Sequence, residues 1–232
     1  MKISEVVKHL IIINVIVFLA VQALSFLPNL SLFFPASKQF APYQLVTHMF
    51  SHGSIGHIAF NMLSLFFLGP YVERELGAKN FFTFYLLCGF GAMLAHILID
   101  YISYGQLLGS VDSDFYTRVY EEGRSILLSG KNYTDPTLAK LNEVLNVPVV
   151  GASGAIYGVT LAFAYLFPNV ELMLLFFPFP IKAKYLAIGI IIYDLFFGVS
   201  QFKTGIAHFA HLGGGLTGIL LVMFFYKRRF NK

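Results

Sequence analysis

Apolar residues in this chain gather into long runs separated by short polar interruptions. Six runs approach membrane-crossing length, at residues 7 to 27, 54 to 72, 81 to 102, 149 to 168, 184 to 201 and 205 to 226. A helix needs about 20 predominantly apolar residues to cross roughly 30 Å of hydrocarbon. Backbone N–H and C=O groups in lipid have no water to bond, so each run is predicted to be a helix that satisfies itself. The expected architecture is an all-α membrane protein, a bundle of six transmembrane helices forming a single membrane domain over residues 1–232. The first run follows a basic stretch, is longer than a signal-peptide core and precedes no small-residue cleavage pattern, so it is expected to stay as a span.

The interruptions carry the topology. Lys2 and Lys8 precede the first run, Arg74 and Lys79 separate the second from the third, Lys182 and Lys184 precede the fifth, and Lys227, Arg228, Arg229 and Lys232 follow the sixth. Positive charge marks the cytoplasmic side. Both termini are therefore expected there, and runs two, four and six enter the membrane from the outer side. Residues 28 to 53 form an outer connector too aromatic for a plain solvated loop, with the membrane interface as its expected resting place. Residues 103 to 147 are hydrophilic, holding Asp112, Asp114, Glu121, Glu122, Asp135 and Glu143, and are expected as an extracytoplasmic insertion between the third and fourth helices. So long a connector is expected to contain helices of its own, in SDFYTRVYEEGRSILL and DPTLAKLNEVL.

Composition narrows the classes. The chain is 57% hydrophobic and 12% charged, against about a quarter charged in ordinary soluble domains. A soluble globular domain is excluded, and 26 Phe and 13 Tyr exclude a disordered chain. The net charge of +4 lies in the segments flanking the apolar runs, so it reads as topology and implies no nucleic-acid partner. The single cysteine, Cys88, sits in an apolar run and reads as a small packed hydrophobe.

Polar groups inside membrane runs are costly and mark candidate sites. In the second run His57 and Asn61 are four residues apart, on one face of a helix. The fourth opens with VVGASGAIYG, where Ser153 is flanked by Gly151 and Gly154; the sixth opens with GIAHFAHLGGGLTG, where His208 and His211 are one turn apart. Gly154 with Gly158 and Gly214 with Gly218 give each helix a small-xxx-small face for backbone contact. Such contact would bring Ser153 and His211 to a similar depth, on the order of 5 to 10 Å inside the outer helix ends. A serine at hydrogen-bond reach of a histidine is a nucleophile with its general base. Backbone N–H groups at the helix N-terminus near Ser153, with His57 and Asn61 opposite, are placed to stabilise a developing oxyanion. Tyr157, one turn after Ser153, is placed to stack on His211. No aspartate lies near either histidine in sequence, so a dyad oriented by packing is the simplest assembly.

These residues resemble the rhomboid intramembrane serine proteases, whose marks are GxSG in the fourth span, AHxxG in the sixth and HxxxxHxxxN in the second. GASG at 151 to 154, AHLGG at 210 to 214, and His52, His57 and Asn61 in HGSIGHIAFN match in order and span. The resemblance covers the chain apart from residues 103 to 147. It implies a rhomboid-like bundle and an intramembrane serine endopeptidase with Ser153 as nucleophile and His211 as base, acting through an acyl-enzyme. His57, Asn61 and the Ser153 N–H would form the oxyanion hole; Tyr157, Gly151, Gly154 and Gly214 would support the site. It also implies transmembrane protein substrates cut within lipid, no cofactor and no metal, a structural Glu73 at the inner end, structural His48 and His52, and movement of the fifth span with the loop near 198 to 205. From the N-terminal span, a bacterial inner membrane is the expected location, with an organellar membrane as the alternative.

One departure is Tyr43-Gln44 where many members carry Trp-Arg in the first loop. Other classes were weighed. A GxSxG elbow fails at Ala155. A zinc site has five histidines to draw on, His48, His52, His57, His208 and His211, but no HExxH. A transporter or proton relay would rest on His96, Asp100 and Asp194 and lacks an inverted repeat. An inactive, client-binding relative would typically lack the serine or histidine present here.

Overall fold

The computed structural model describes residues 3–24, 27, 29–174, 177–200 and 204–230. Lys2, Lys232 and residues 201–203, in the loop expected to move, lie outside them. Helices account for most of the described chain: α1 (Glu5–Ala23), α2 (Gln44–Thr47) running into a short 3-10 turn, α3 (Ile55–Leu76), α4 (Ala78–Leu108), α5 (Ser113–Leu128), α6 (Pro136–Asn146), α7 (Ser153–Leu166), α8 (Ala183–Val199) and α9 (His208–Phe230). One antiparallel hairpin, β1 (Glu171–Leu174) and β2 (Phe177–Lys182), joins α7 to α8, with Glu171 opposite Lys182 and Leu172 opposite Ile181. This is a departure from a purely helical chain, in a connector that the run pattern leaves unassigned.

By length and composition α1, α3, α4 and α9 are able to cross a membrane. With 14 and 17 residues, α7 and α8 reach only about 21 and 25 Å at 1.5 Å per residue, short of roughly 30 Å. Helix length alone therefore gives four full spans among the described residues, where six were expected. For α7 the reason lies at its start. Residues 149 to 152, expected as helix, leave the helical path because Val149 exchanges two backbone hydrogen bonds with Leu32, at 2.9 and 2.8 Å, and Gly151 N–H donates to the His48 carbonyl at 2.9 Å.

Around the bundle many large apolar side chains face outward, among them Ile16 (59% exposed), Phe60 (59%), Leu94 (62%) and Leu216 (62%). An apolar belt of this extent is unstable against water and stable against lipid, so the chain is an integral membrane protein. Inside, α9 packs on α4 and α7, α3 flanks α7, and α1 lies against α3. The α7–α9 contact is backbone on backbone: a Cβ on Gly214 would stand 2.0 Å from the Gly154 carbonyl oxygen, and one on Gly218 would stand 2.6 Å from Gly158 Cα. Any larger residue there would separate the two helices.

Local chemistry sets several boundaries. Ser54 caps α3 by accepting the His57 N–H at 3.1 Å. Asp135 caps α6 by accepting from Thr137 and Leu138 N–H, each at 2.9 Å, with Pro136 in the first turn. At 31 residues, α4 is about 46 Å long and outruns the hydrocarbon. Its last turns support α5 and α6: Phe34 and Tyr104 rings meet at 5.3 Å, the Tyr104 and Tyr116 hydroxyls share a 3.0 Å hydrogen bond, and Val119, Leu141, Val144 and Leu145 close a second small core with Phe34.

The connector between α1 and α3 is stapled by Gln44, 1% exposed. Its side-chain oxygen accepts from Phe33 N–H at 3.3 Å, and its amide donates to the Gln39 and Asn29 carbonyls at 2.9 and 3.3 Å. The residue at which the chain departs from the family pattern thus holds the loop by its own amide. At the opposite end of α3 the buried Glu73 carboxylate accepts from Ser4 Oγ at 2.5 Å and from Val6 and Val7 N–H at 3.2 and 3.0 Å, satisfying the start of α1. Glu73→Ala orphans these donors, and the expected cost is roughly 2 to 4 kcal/mol. A clearly lowered midpoint of heat-induced unfolding in detergent, with a smaller drop for Glu73→Gln, is the measurement that checks it.

Candidate active site

Ser153 is the first residue of α7, delivered there by the connecting segment 147 to 152. Gly151 makes that delivery possible. Its φ is +114°, a region L side chains rarely adopt, and a Cβ on it would stand 2.7 Å from His57 Cε1 and Nε2 and 3.6 Å from Asn61 Nδ2. His57 and Asn61, one turn apart on α3, therefore border the Gly151 backbone just ahead of Ser153. Asn61 Nδ2 is buried and has no hydrogen-bond acceptor among the described residues.

His211 comes from the first turn of α9. Its Nε2 lies 3.1 Å from Ser153 Oγ, although the two residues are 58 positions apart. Tyr157, one turn below Ser153, stacks on the imidazole with ring centroids 5.1 Å apart and planes 18° from parallel. The tight α7–α9 contact at Gly154 and Gly214 sets this distance, since both helices carry their polar residue within one turn of the glycine. A cavity of about 240 Å³ opens beside the pair, bordered by Asn61, Ser153, Ile156, Leu186, Ile190 and His211. A hydroxyl against an imidazole, beside a cavity edged by an uncommitted amide donor, is suited to nucleophilic attack on a carbonyl and to holding the resulting oxyanion.

Sequence reasoning left one group out of the site. Asp194, in the middle of α8 and 2% exposed, places Oδ1 at 2.5 Å from His208 Nδ1 and 3.3 Å from His211 Nδ1. The expectation of an imidazole held by packing without a carboxylate is corrected: an acidic group reaches the ring, from another helix. A buried acid in an apolar run was the available signal, but its partners lie 14 and 17 positions away and no helical spacing connects them. His208 also receives Thr204, with Oγ1 at 2.6 Å from Nε2.

The remaining candidates fall elsewhere. His96 and Asp100 pair with each other along α4 at 3.1 Å. Among the described residues no group of three or more His, Cys, Asp or Glu side chains is placed to hold a metal ion. His48 donates to the Gln44 carbonyl at 2.8 Å. His52 is 5% exposed, meets His57 edge to face at 5.1 Å, and has both ring nitrogens buried without a hydrogen-bond partner among the described residues.

Burial, with His57 beside it, lowers His52 from 6.5 to about 4, and burial lowers His48 as well. A histidine held neutral in the fold binds a proton more readily once unfolded. Its contribution is thus fully present above pH 6.5 and is lost as pH falls toward 4. The expected result is an unfolding midpoint in detergent that is flat above neutrality and drops between pH 6.5 and 4, with a shallower drop for His52→Leu.

A family model described as the rhomboid domain matches residues 39–228. Among curated proteins the chain is similar to "Rhomboid protein 1, mitochondrial" of Saccharomyces cerevisiae, 29% identical over 176 residues, covering 76% of this chain and 40% of that protein. It is similar to "RHOMBOID-like protein 12, mitochondrial" of Arabidopsis thaliana, 30% identical over 191 residues, covering 82% and 48%. It is also similar to "Rhomboid protease AarA" of Providencia stuartii, 28% identical over 183 residues, covering 75% and 52%. The chain spans about half the length of these relatives.

Proposed function

Because the chain belongs to the rhomboid family, we propose that it is an intramembrane serine endopeptidase that cuts membrane-spanning segments of other proteins. The observation that carries the reading is the 3.1 Å hydrogen bond between Ser153 Oγ and His211 Nε2. The relative from Providencia stuartii, whose name is that of a rhomboid protease, adds to it.

In this reading Ser153 Oγ attacks the scissile carbonyl carbon while its proton passes to His211 Nε2, and the carbonyl π pair moves onto oxygen. The oxyanion is met by the Ser153 N–H, Asn61 Nδ2 and the His57 ring. Collapse breaks the C–N bond, and the imidazolium returns its proton to the leaving amine. Water, deprotonated by His211, then hydrolyses the acyl ester and regenerates Ser153. The chemistry uses groups of the protein and water and asks for no cofactor.

Six crossings complete the topology, with both termini on the cytoplasmic side. Residues 103 to 147 then lie outside. There α5 and α6 brace the first connector: Lys38 pairs with Glu121, and Arg124 donates to the Asn146 carbonyl at 3.0 Å while lying over the Phe33 ring at 5.2 Å. Single-span proteins with a small residue before the cut and a weakened helix are the substrate class. The test is a fluorescent fluorophosphonate on the purified chain in detergent, alongside cleavage of a model single-span substrate. Labelling at Ser153 together with cleavage is expected; a folded protein with neither overturns the reading.

A further inference from the structure

We propose that Asp194 is a positioning residue that holds His211 in the tautomer and orientation that present Nε2 to Ser153, with His208 as the second anchor of the same carboxylate. Its consequence for catalysis rests on the proteolytic reading above; the arrangement itself does not.

Stacking on Tyr157 fixes the plane of the His211 ring but not which edge of the ring faces Ser153. A half-turn about the Cβ–Cγ bond keeps the stack and moves the nitrogens. A group that tells the two edges apart has to lie in the ring plane, and Asp194 Oδ1 at 3.3 Å from Nδ1 is such a group. An ionised carboxylate only accepts, so a hydrogen bond to it requires the proton on Nδ1 and leaves the Nε2 lone pair free. That lone pair is the one 3.1 Å from Ser153 Oγ.

The same logic applies to His208. Its Nδ1–H donates to the same oxygen at 2.5 Å, and its Nε2 accepts from the Thr204 hydroxyl at 2.6 Å. The rings of Tyr193 and Phe197 from α8 enclose it at 5.8 and 5.9 Å. A carboxylate at this depth is costly unless ring donors satisfy it. His208, the shorter contact, supplies that satisfaction and keeps the carboxylate in place. His211, the longer contact, is where the carboxylate acts: the bond has room to tighten when the ring takes the Ser153 proton and becomes an imidazolium. One buried oxygen thus sets the tautomer of two histidines.

The test is nuclear magnetic resonance of the full chain in micelles with ¹⁵N-labelled histidine, the His211 signal being assigned by its loss in His211→Gln. The wild type is expected to show His211 with the proton on Nδ1. In Asp194→Asn, whose amide is able to donate to Nδ1, the Nε2-protonated form is expected to appear. There kcat for a single-span substrate should fall by roughly tenfold or more with KM within about threefold, a split that a merely structural residue would not produce. A wild-type His211 protonated on Nε2 overturns the proposal, and so does an Asn variant with an unchanged tautomer and kcat within about twofold. Should the variant fail to fold, the wild type decides by its Nδ1–H proton resonance: a downfield shift of the kind a carboxylate acceptor produces is expected, and its absence overturns the proposal. Loss of the proteolytic reading is separable: it would show as an unlabelled wild-type Ser153, while the tautomer and its response to Asp194→Asn would still report on the carboxylate.

Discussion

Cleavage of a single-span substrate is expected to fall to background in Ser153→Ala, a loss on the order of 10³-fold or more, with fluorophosphonate labelling abolished. His211→Ala should match it, because in the proposed mechanism the nucleophile and its base act as a unit: without the Nε2 acceptor 3.1 Å away, the Ser153 hydroxyl is an ordinary alcohol. The double variant should be no worse than either single one. Both substitutions remove side-chain atoms beside a cavity and leave the α7–α9 glycine contact intact, so unfolding midpoints close to wild type are expected. Undiminished cleavage in Ser153→Ala would refute the mechanism. A distinctly larger loss in the double variant would mean that the two residues act independently.

Gly151→Ala should lower kcat/KM by roughly 10²-fold while the chain stays folded. Two independent physical reasons converge on this residue. Its φ of +114° would cost an L residue about 1 to 3 kcal/mol. A Cβ would also press to 2.7 Å from the His57 ring, at the mouth of the proposed oxyanion site, and relief has to come from His57 or from the 147 to 152 segment that aims the Ser153 N–H. Either shift misplaces a donor, and donors act on a transition state only when their positions are set beforehand. Measuring kcat/KM together with the unfolding midpoint separates this from global damage. Activity within about threefold of wild type would show that the backbone here is not part of the site.

Much of the fold is legible in residue order because its determinants are local. α5 occupies Ser113–Leu128, the segment expected from its helix-forming pattern, and α6 begins one residue after the Asp135 cap. The membrane character follows from run length and composition. The pairing of Val149 with Leu32 is not legible, since neither residue advertises a strand partner more than a hundred positions away. That pairing shortens α7 at its N-terminus. The β1–β2 hairpin escapes notice because between Glu171 and Lys182 at its open end every residue is apolar, with no alternation of apolar and polar positions to mark a half-buried strand.

The candidate site divides along the same line. Sequence by itself determined the polar residues carried into an apolar bundle, the helical phase that puts His57 with Asn61 and Ser153 with Tyr157, and the glycine faces that admit close helix contact. These follow from the 3.6-residue turn and from the cost of polarity in hydrocarbon. Only the tertiary structure decided that the Asp194 carboxylate meets both His208 and His211, that Gln44 closes the first connector, and that Gly151 borders His57 and Asn61. The Gln44 contacts depend on how the first connector folds back on itself, and the others on how α3, α7, α8 and α9 are rotated and set against one another. That is a property of summed packing across the bundle, which no local spacing encodes.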